Sequence, residues 1–138
     1  VPAAITWPNK IQKGAIRNQF GVNSDWMPTL AELCGIKLDS RNLDGKSLVS
    51  IIHNETEKTK HAEGYCWQYQ DMWVARKGNW KLLGNPRDTS KKTYKLKEKR
   101  FLVNLDNDIG ESTNLFKKYP EKVIELENQY RAWLKRNN

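Results

Sequence analysis

Between Ala62 and Leu105 the chain alternates short aromatic and β-prone runs with turn signals. The runs read GYCWQY, MWVAR, WKLL after Lys77-Gly78-Asn79, and FLVNL after a basic loop. Their spacing is hairpin-like and leaves no room for crossover helices, so the strands they form pair antiparallel. A four-stranded antiparallel sheet of this kind needs a cover on one face. The chain supplies it directly: Pro120 opens a helical pattern in which Val123, Leu126, Tyr130, Trp133 and Leu134 form one apolar stripe at 3.6-residue spacing. Glu121 stands near the positive end of that helix dipole, with Lys135 and Arg136 near the negative end. The expected class is α+β, a small sheet packed against a C-terminal helix.

The first sixty residues have another texture. Val1 to Trp7, VPAAITW, is apolar almost throughout and stops at Pro8, as a strand buried on both faces does. Such a strand wants a larger sheet. Asn23-Ser24-Asp25 supplies cap candidates for a helix with Pro28 in its first turn, Trp26, Leu30, Leu33 and Cys34 on one face, and Gly35 at its end. Leu43-Asp-Gly-Lys-Ser47 reads as a turn into a short helix over Leu48 to His53, with Ser47 as its cap, and a polar linker follows from Asn54 to Lys60. The break in texture divides the chain into 1–60 and 61–138.

At 138 residues, 29% of them charged, and with a mean hydropathy of −0.84, the chain has a very polar surface and no run long enough to span a membrane. It begins at Val1 without Met or a basic leader, which reads as a processed chain or a piece of a longer one. Cys34 and Cys66 sit in apolar surroundings and read as small buried hydrophobes. Asn54-Glu-Thr56 is a glycosylation sequon of a kind that often arises by chance. The net charge of +8 favours an acidic partner. Much of it is local, since residues 87–100 hold seven basic and two acidic side chains, the pattern of a solvated hairpin.

The stretch LVNLDNDIGESTNL, residues 102–115, crowds Asp106, Asp108 and Glu111 as a calcium loop would. An EF-hand loop, however, places Gly sixth and a closing Glu twelfth, and here Gly110 comes fifth from Asp106. The better reading is a turn out of the last strand whose carboxylates accept backbone N–H bonds. Nor is Lys46 part of a phosphate loop, because the required Gly is Ser40.

The order of these motifs resembles the carboxy-terminal part of the formylglycine-dependent sulfatases, arylsulfatase-like members of the alkaline-phosphatase-like superfamily. VPAAITWPNKI is similar to that family's Val-Pro, strand, Trp-Pro-Gly-Lys segment, DWMPTLAELCGI to its Asp-x-x-Pro-Thr-Leu helix, and LDGKSL to Leu-Asp-Gly-x-Ser-Leu. VARKGNWKLL is similar to its Arg-x-Gly-x-Trp-Lys-Leu strand pair, and LVNLDNDIGESTNL to Leu-Tyr-Asp-Leu-x-x-Asp-Pro-x-Glu-x-x-Asn-Leu. Asn9, Asn104 and Ile109 depart from the pattern, at turns. The family's nucleophile motif, Cys or Ser followed by x-Pro-x-Arg, is absent here, and neither Cys34-Gly-Ile nor Cys66-Trp-Gln can replace it.

The resemblance implies that residues 1–60 end a larger α/β sulfatase core containing the opening strand and helices. It implies a parent enzyme that hydrolyses sulfate esters of sugars in an exported compartment, using formylglycine and calcium held upstream of residue 1. This chain alone would then be inactive, with the core and a sulfated carbohydrate as partners. The candidate substrate contacts are Tyr65, Trp67 and Tyr69, which alternation puts on one strand face, with Arg76 beside Gly78, and His61. An aromatic stripe on a strand more often packs against a helix, and His61, beside Lys60, reads as a surface histidine. The unpaired opening strand offers a route to self-association. Two other readings are a basic nucleic-acid-binding module and a stand-alone carbohydrate-binding module.

Overall fold

The computed structural model describes residues 2–39, 43–54, 56–87 and 98–137. The centre of the basic loop, residues 88–97, and Glu55 of the sequon lie outside them. The chain divides into two compact units, Val1–Ala62 and Glu63–Asn138.

In the first unit, residues 2–7 form no strand, and Trp7 is exposed. The expected strand is therefore absent among the described residues: without a neighbouring strand, its N–H and C=O groups do better in water. A 3-10 turn at Asn23–Asp25 runs into helix α1, Trp26–Leu33, and α2 follows at Val49–His53. The chain leaves α1 through Gly35 at φ +69, a conformation glycine takes without strain. The cap position of α2 falls on Leu48 rather than on Ser47 as expected, and Ser47 Oγ accepts the Val49 N–H at 3.3 Å from one residue further out.

The buried side of α1 is not the apolar one. Leu30 is 50% exposed, whereas Asp25, Thr29 and Ala31 are buried. The polar side turns inward because the Leu43–Ser47 turn brings backbone donors there: Lys46 N–H to Asp25 Oδ1 at 2.8 Å and Leu48 N–H to Thr29 Oγ1 at 2.9 Å. Glycine makes this approach possible, since a Cβ at Gly45 would lie 2.0 Å from the Ser24 carbonyl oxygen.

The second unit is a meander of β1, Tyr65–Tyr69; β2, Met72–Lys77; β3, Trp80–Gly84; and β4, Arg100–Asn104, in that spatial order and antiparallel throughout. The first two connections are two-residue loops, Gln70-Asp71 and Gly78-Asn79, whose leading residues take φ 56 and φ 57. Positive φ at that place lets a tight loop follow the twist of its strands.

One cross-strand row, Cys66, Ala75, Leu82 and Leu102, spans all four strands. It meets Val123, Leu126 and Tyr130 of α3, Pro120–Asn137, in the core. Leu82, Leu102 and Leu126 are essentially enclosed, and each contributes about 2 kcal/mol by leaving water. In the next row, Trp73 lies across Gly84, where a Cβ would come within 2.0 Å of the indole. The indole stacks on Tyr130 at 4.1 Å with the rings 4° from parallel, and the Arg100 guanidinium sits 4.9 Å from the Trp73 ring.

Beyond β4 the chain returns along that strand's outer edge. Asn114 Oδ1 accepts the Leu102 N–H and its Nδ2 donates to the Arg100 carbonyl, both at 3.0 Å, while Leu115 N–H donates to the Leu102 carbonyl at 2.8 Å. The Asn side chain thus stands in for a fifth strand. The turn between them is held by Asp108, which accepts the N–H groups of Ser112 and Thr113 at 2.8 Å each. Asp106 instead accepts from Asn79 Nδ2 at 2.6 Å, and Glu111 takes the Lys81 ammonium.

Candidate functional site

Cys66 lies under α3, and Gln68 Oε1 accepts the Tyr130 hydroxyl at 2.5 Å, so these residues mark the helix side of β1. By alternation Tyr65, Trp67 and Tyr69 project from the opposite face. The helix-packing reading of this stripe is corrected accordingly: α3 approaches the sheet over the small Cys66 and Ala75, and the bulky rings take the other side. Trp67 is 36% and Tyr69 66% exposed. The Tyr65 and Trp67 rings lie 6.1 Å apart with a 39° tilt, which makes a discontinuous ridge.

Register places Arg76 beside Tyr65 and Lys81 beside Arg76 on this same face. Arg76 Nε donates to the Gly78 carbonyl at 3.0 Å. Partial burial pulls its guanidinium below the ordinary range, against the opposing pull of the Glu111 charge. Lys81 Nζ donates to both Glu111 oxygens at 2.6 and 2.8 Å, so its charge is already matched. Aromatic faces beside a guanidinium can stack on a sugar ring and receive an anionic group.

His61 is elsewhere in character as well as in unit. Expected at the surface, it is 4% exposed, with Nε2 2.9 Å from both oxygens of Asp25 and its ring edge-on to Phe20 at 5.9 Å. Asp25 has no exposed surface and also accepts the Val22 N–H at 2.8 Å in addition to that of Lys46. Nε2 thus lies within hydrogen-bond reach of both carboxyl oxygens at once. The pair ties the turn before α1, the Leu43–Ser47 turn and the end of the linker together, and His61 presents no group at a surface site. Asp25 escaped sequence reading because it looks like a helix cap, while its partners lie 21 and 36 residues away. The other histidine, His53, is exposed at the end of α2.

An open groove of about 510 Å³ in the first unit runs between Pro28, Ala31, Ile36 and Leu43 and contains none of the predicted contacts. Calcium does not fit the residues present: Asp106, Asp108 and Glu111 are each engaged by protein donors, and among the described residues no three His, Cys, Asp or Glu side chains gather as ligands. Both cysteines are free thiols. Cys34 is exposed, contrary to its expected burial, because that face of α1 is uncovered; Cys66 is buried, and burial pushes its thiol up against the weaker opposing effect of the Gln129 amide.

Residues 1–137 match the family model described as N-sulphoglucosamine sulphohydrolase, C-terminal. A protein named sulfatase from Formosa agariphila is 30% identical over 152 aligned positions, covering 100% of this chain and 27% of its own length. Bovine arylsulfatase A is 25% identical over 140 positions, covering 90% of this chain and 27% of its own. Among solved structures, one described as a complex with its substrate D-glucosamine-2-N,6-O-disulfate aligns with a TM-score of 0.59 at 22% identity, over 80% of this chain and 23% of that one. Another, in complex with k-i-k-neocarrahexaose, has a TM-score of 0.59 at 23% identity, over 79% of this chain and 23% of that one. At these identities the structural likeness is one of fold. The chain spans about a quarter of the length of the relatives it matches.

Proposed function

Because the chain belongs to the N-sulphoglucosamine sulphohydrolase C-terminal family, we propose that it forms the carboxy-terminal part of a sulfatase whose complete chain hydrolyses sulfate esters of sugars. The match of residues 1–137 to that family carries the reading. Hydrolysis of a sulfate ester needs a nucleophile, a proton donor and cationic groups or a metal around the sulfate oxygens. These would belong to a core outside this chain, where formylglycine would supply a nucleophile and calcium a cationic centre; residues 1–60 then complete that core. Export follows from the same assignment, and no helix among the described residues is long and apolar enough to cross a membrane.

The part left to this chain is to shape the substrate end of the cleft. Trp67 and Tyr69 offer ring faces to a pyranose, Tyr65 continues the ridge, and Arg76 stands where a sulfate or carboxylate group would be received. His61 drops out of the contact set because Asp25 holds it in the interior. The relative bound to a glucosamine disulfate supports a sugar sulfate as the substrate class. The test is release of inorganic sulfate from glucosamine sulfates by the complete protein and by residues 1–138 alone. Turnover by the first and none by the second is the expected result. Turnover by residues 1–138 alone, or none by the complete protein, overturns the assignment. Arg76→Ala should raise KM several-fold with kcat retained.

A further inference from the structure

β1 is an outer strand of the sheet, and its free edge is of a different kind from the other one. In the β1–β2 hairpin, Tyr69 and Met72 flank a two-residue loop and exchange both backbone hydrogen bonds, and the same then holds for Trp67 with Val74 and Tyr65 with Arg76. The N–H and C=O groups of Cys66 and Gln68 therefore point out of the sheet. Among the described residues no backbone group pairs with them. The β4 edge is closed by Asn114 and Leu115 and flanked by Lys99 and Arg100. The β1 sequence YCWQY has no charge, no proline and no bulge, which are the devices that keep natural sheet edges apart.

We propose that this edge pairs with the β1 of a second copy of the chain, in a twofold-symmetric antiparallel register centred on Trp67. A second copy is the occupant that the sequence of the strand fits. With Trp67 opposite its own symmetry mate, Cys66 of one copy faces Gln68 of the other, and these outward residues exchange all four of their backbone bonds. Each Tyr65 then meets a Tyr69. The two sheets become one of eight strands, and six aromatic rings lie on one face as cross-strand pairs, a favourable kind of contact across antiparallel strands. The same residues serve twice, as an isologous interface requires. The exposed Trp67 and Tyr69 gain cover in the process. Self-association was expected from the opening residues, but residues 2–7 form no strand, and the open ladder lies on β1 instead. This inference does not depend on the enzymatic assignment.

Sedimentation and light scattering of the full chain at rising concentration should give twice the monomer mass. Trp67→Lys sets two ammonium groups opposite each other across the axis and should return the mass to that of a monomer; an unchanged circular dichroism spectrum confirms that it is folded. Register is read by cysteine pairing in a Cys34→Ser background. Directly opposed, non-hydrogen-bonded residues have Cβ atoms about 4.5–5.5 Å apart, close to disulfide reach, so Trp67→Cys should cross-link on mild oxidation. Tyr69→Cys faces Tyr65 of the other copy and should not. A monomeric wild type, a dimeric Trp67→Lys, or equal cross-linking at positions 67 and 69 would each overturn the proposal. A monomer would indicate instead that the edge is taken by another part of the protein or left in water.

Discussion

Asn114 offers the sharpest test of how the small sheet is held. Its Oδ1 accepts N–H groups from Leu102 and Phe116, each at 3.0 Å, and its Nδ2 donates to the Arg100 carbonyl at 3.0 Å and to Glu98 at 2.8 Å. Asn114→Ala removes all four. The Glu98 bond is exposed and its loss is made good by water. The other three lie partly inside, where a lost bond costs about 1 kcal/mol each when water replaces it imperfectly, so the expected loss is about 3 kcal/mol. For a domain of this size that lowers Tm by roughly 12–24 °C, at about 4–8 °C per kcal/mol. Asn137→Ala is the matched control, since Asn137 Nδ2 donates to the Trp133 carbonyl at 2.8 Å at an exposed helix end. Its effect should stay within about 0.5 kcal/mol. Urea unfolding followed by tryptophan fluorescence compares the two. Equal losses would refute the idea that Asn114 acts as a surrogate strand.

Gly84→Ala should cost about 1–3 kcal/mol by overpacking, because the new methyl meets the Trp73 indole and drives it off Tyr130. Near-ultraviolet circular dichroism should lose aromatic signal, and an unchanged spectrum would mean the indole is not seated there. His61→Ala strands the buried Asp25 carboxylate and should destabilise the first unit by about 3 kcal/mol in chemical unfolding, whereas His61→Gln, which keeps a donor, should recover part of it. Equal losses in the two variants would argue against the hydrogen bond as the cause. The Ser112 and then the Thr113 backbone N–H hold the Asp108 carboxyl below its ordinary value of 3.8. A depressed folded pKa stabilises above the unfolded value and is lost as pH falls through the folded one. The difference in midpoint between wild type and Asp108→Asn should therefore be constant near neutrality and shrink below about pH 3.8. A difference that persists at lower pH would contradict the assignment.

What could be read in the sequence follows the range of the interactions concerned. The hairpins and α3 were legible because their signals are local: Lys77-Gly-Asn79 sets a turn, and the stripe from Val123 to Leu134 sets a helix face. The acidic stretch was legible as a turn for the same reason, although only Asp108 serves the backbone as expected. Asp25 and Asn114 each look like cap or turn residues, and their decisive partners come from distant segments or another strand's edge. The apolar residues 2–7 and the outer face of α1 show the opposite failure. Their pattern promises burial, and among the described residues of the first unit Trp7 and Leu30 stay exposed while Ile5, Trp26 and Leu33 are only half-buried. β1 lies between these cases. Alternation separates Tyr65, Trp67 and Tyr69 from Cys66 and Gln68, but hydrophobicity favours the wrong three as core. What decides is volume in the cross-strand row: Cys66 and Ala75 are small where α3 crosses, and Leu82 and Leu102 fill the row beyond them. A ring the size of Trp67 in place of Cys66 would overfill the row under α3. β1 therefore keeps its three rings on the face without the helix, the face on which the proposed sugar contact and the proposed strand pairing both rely.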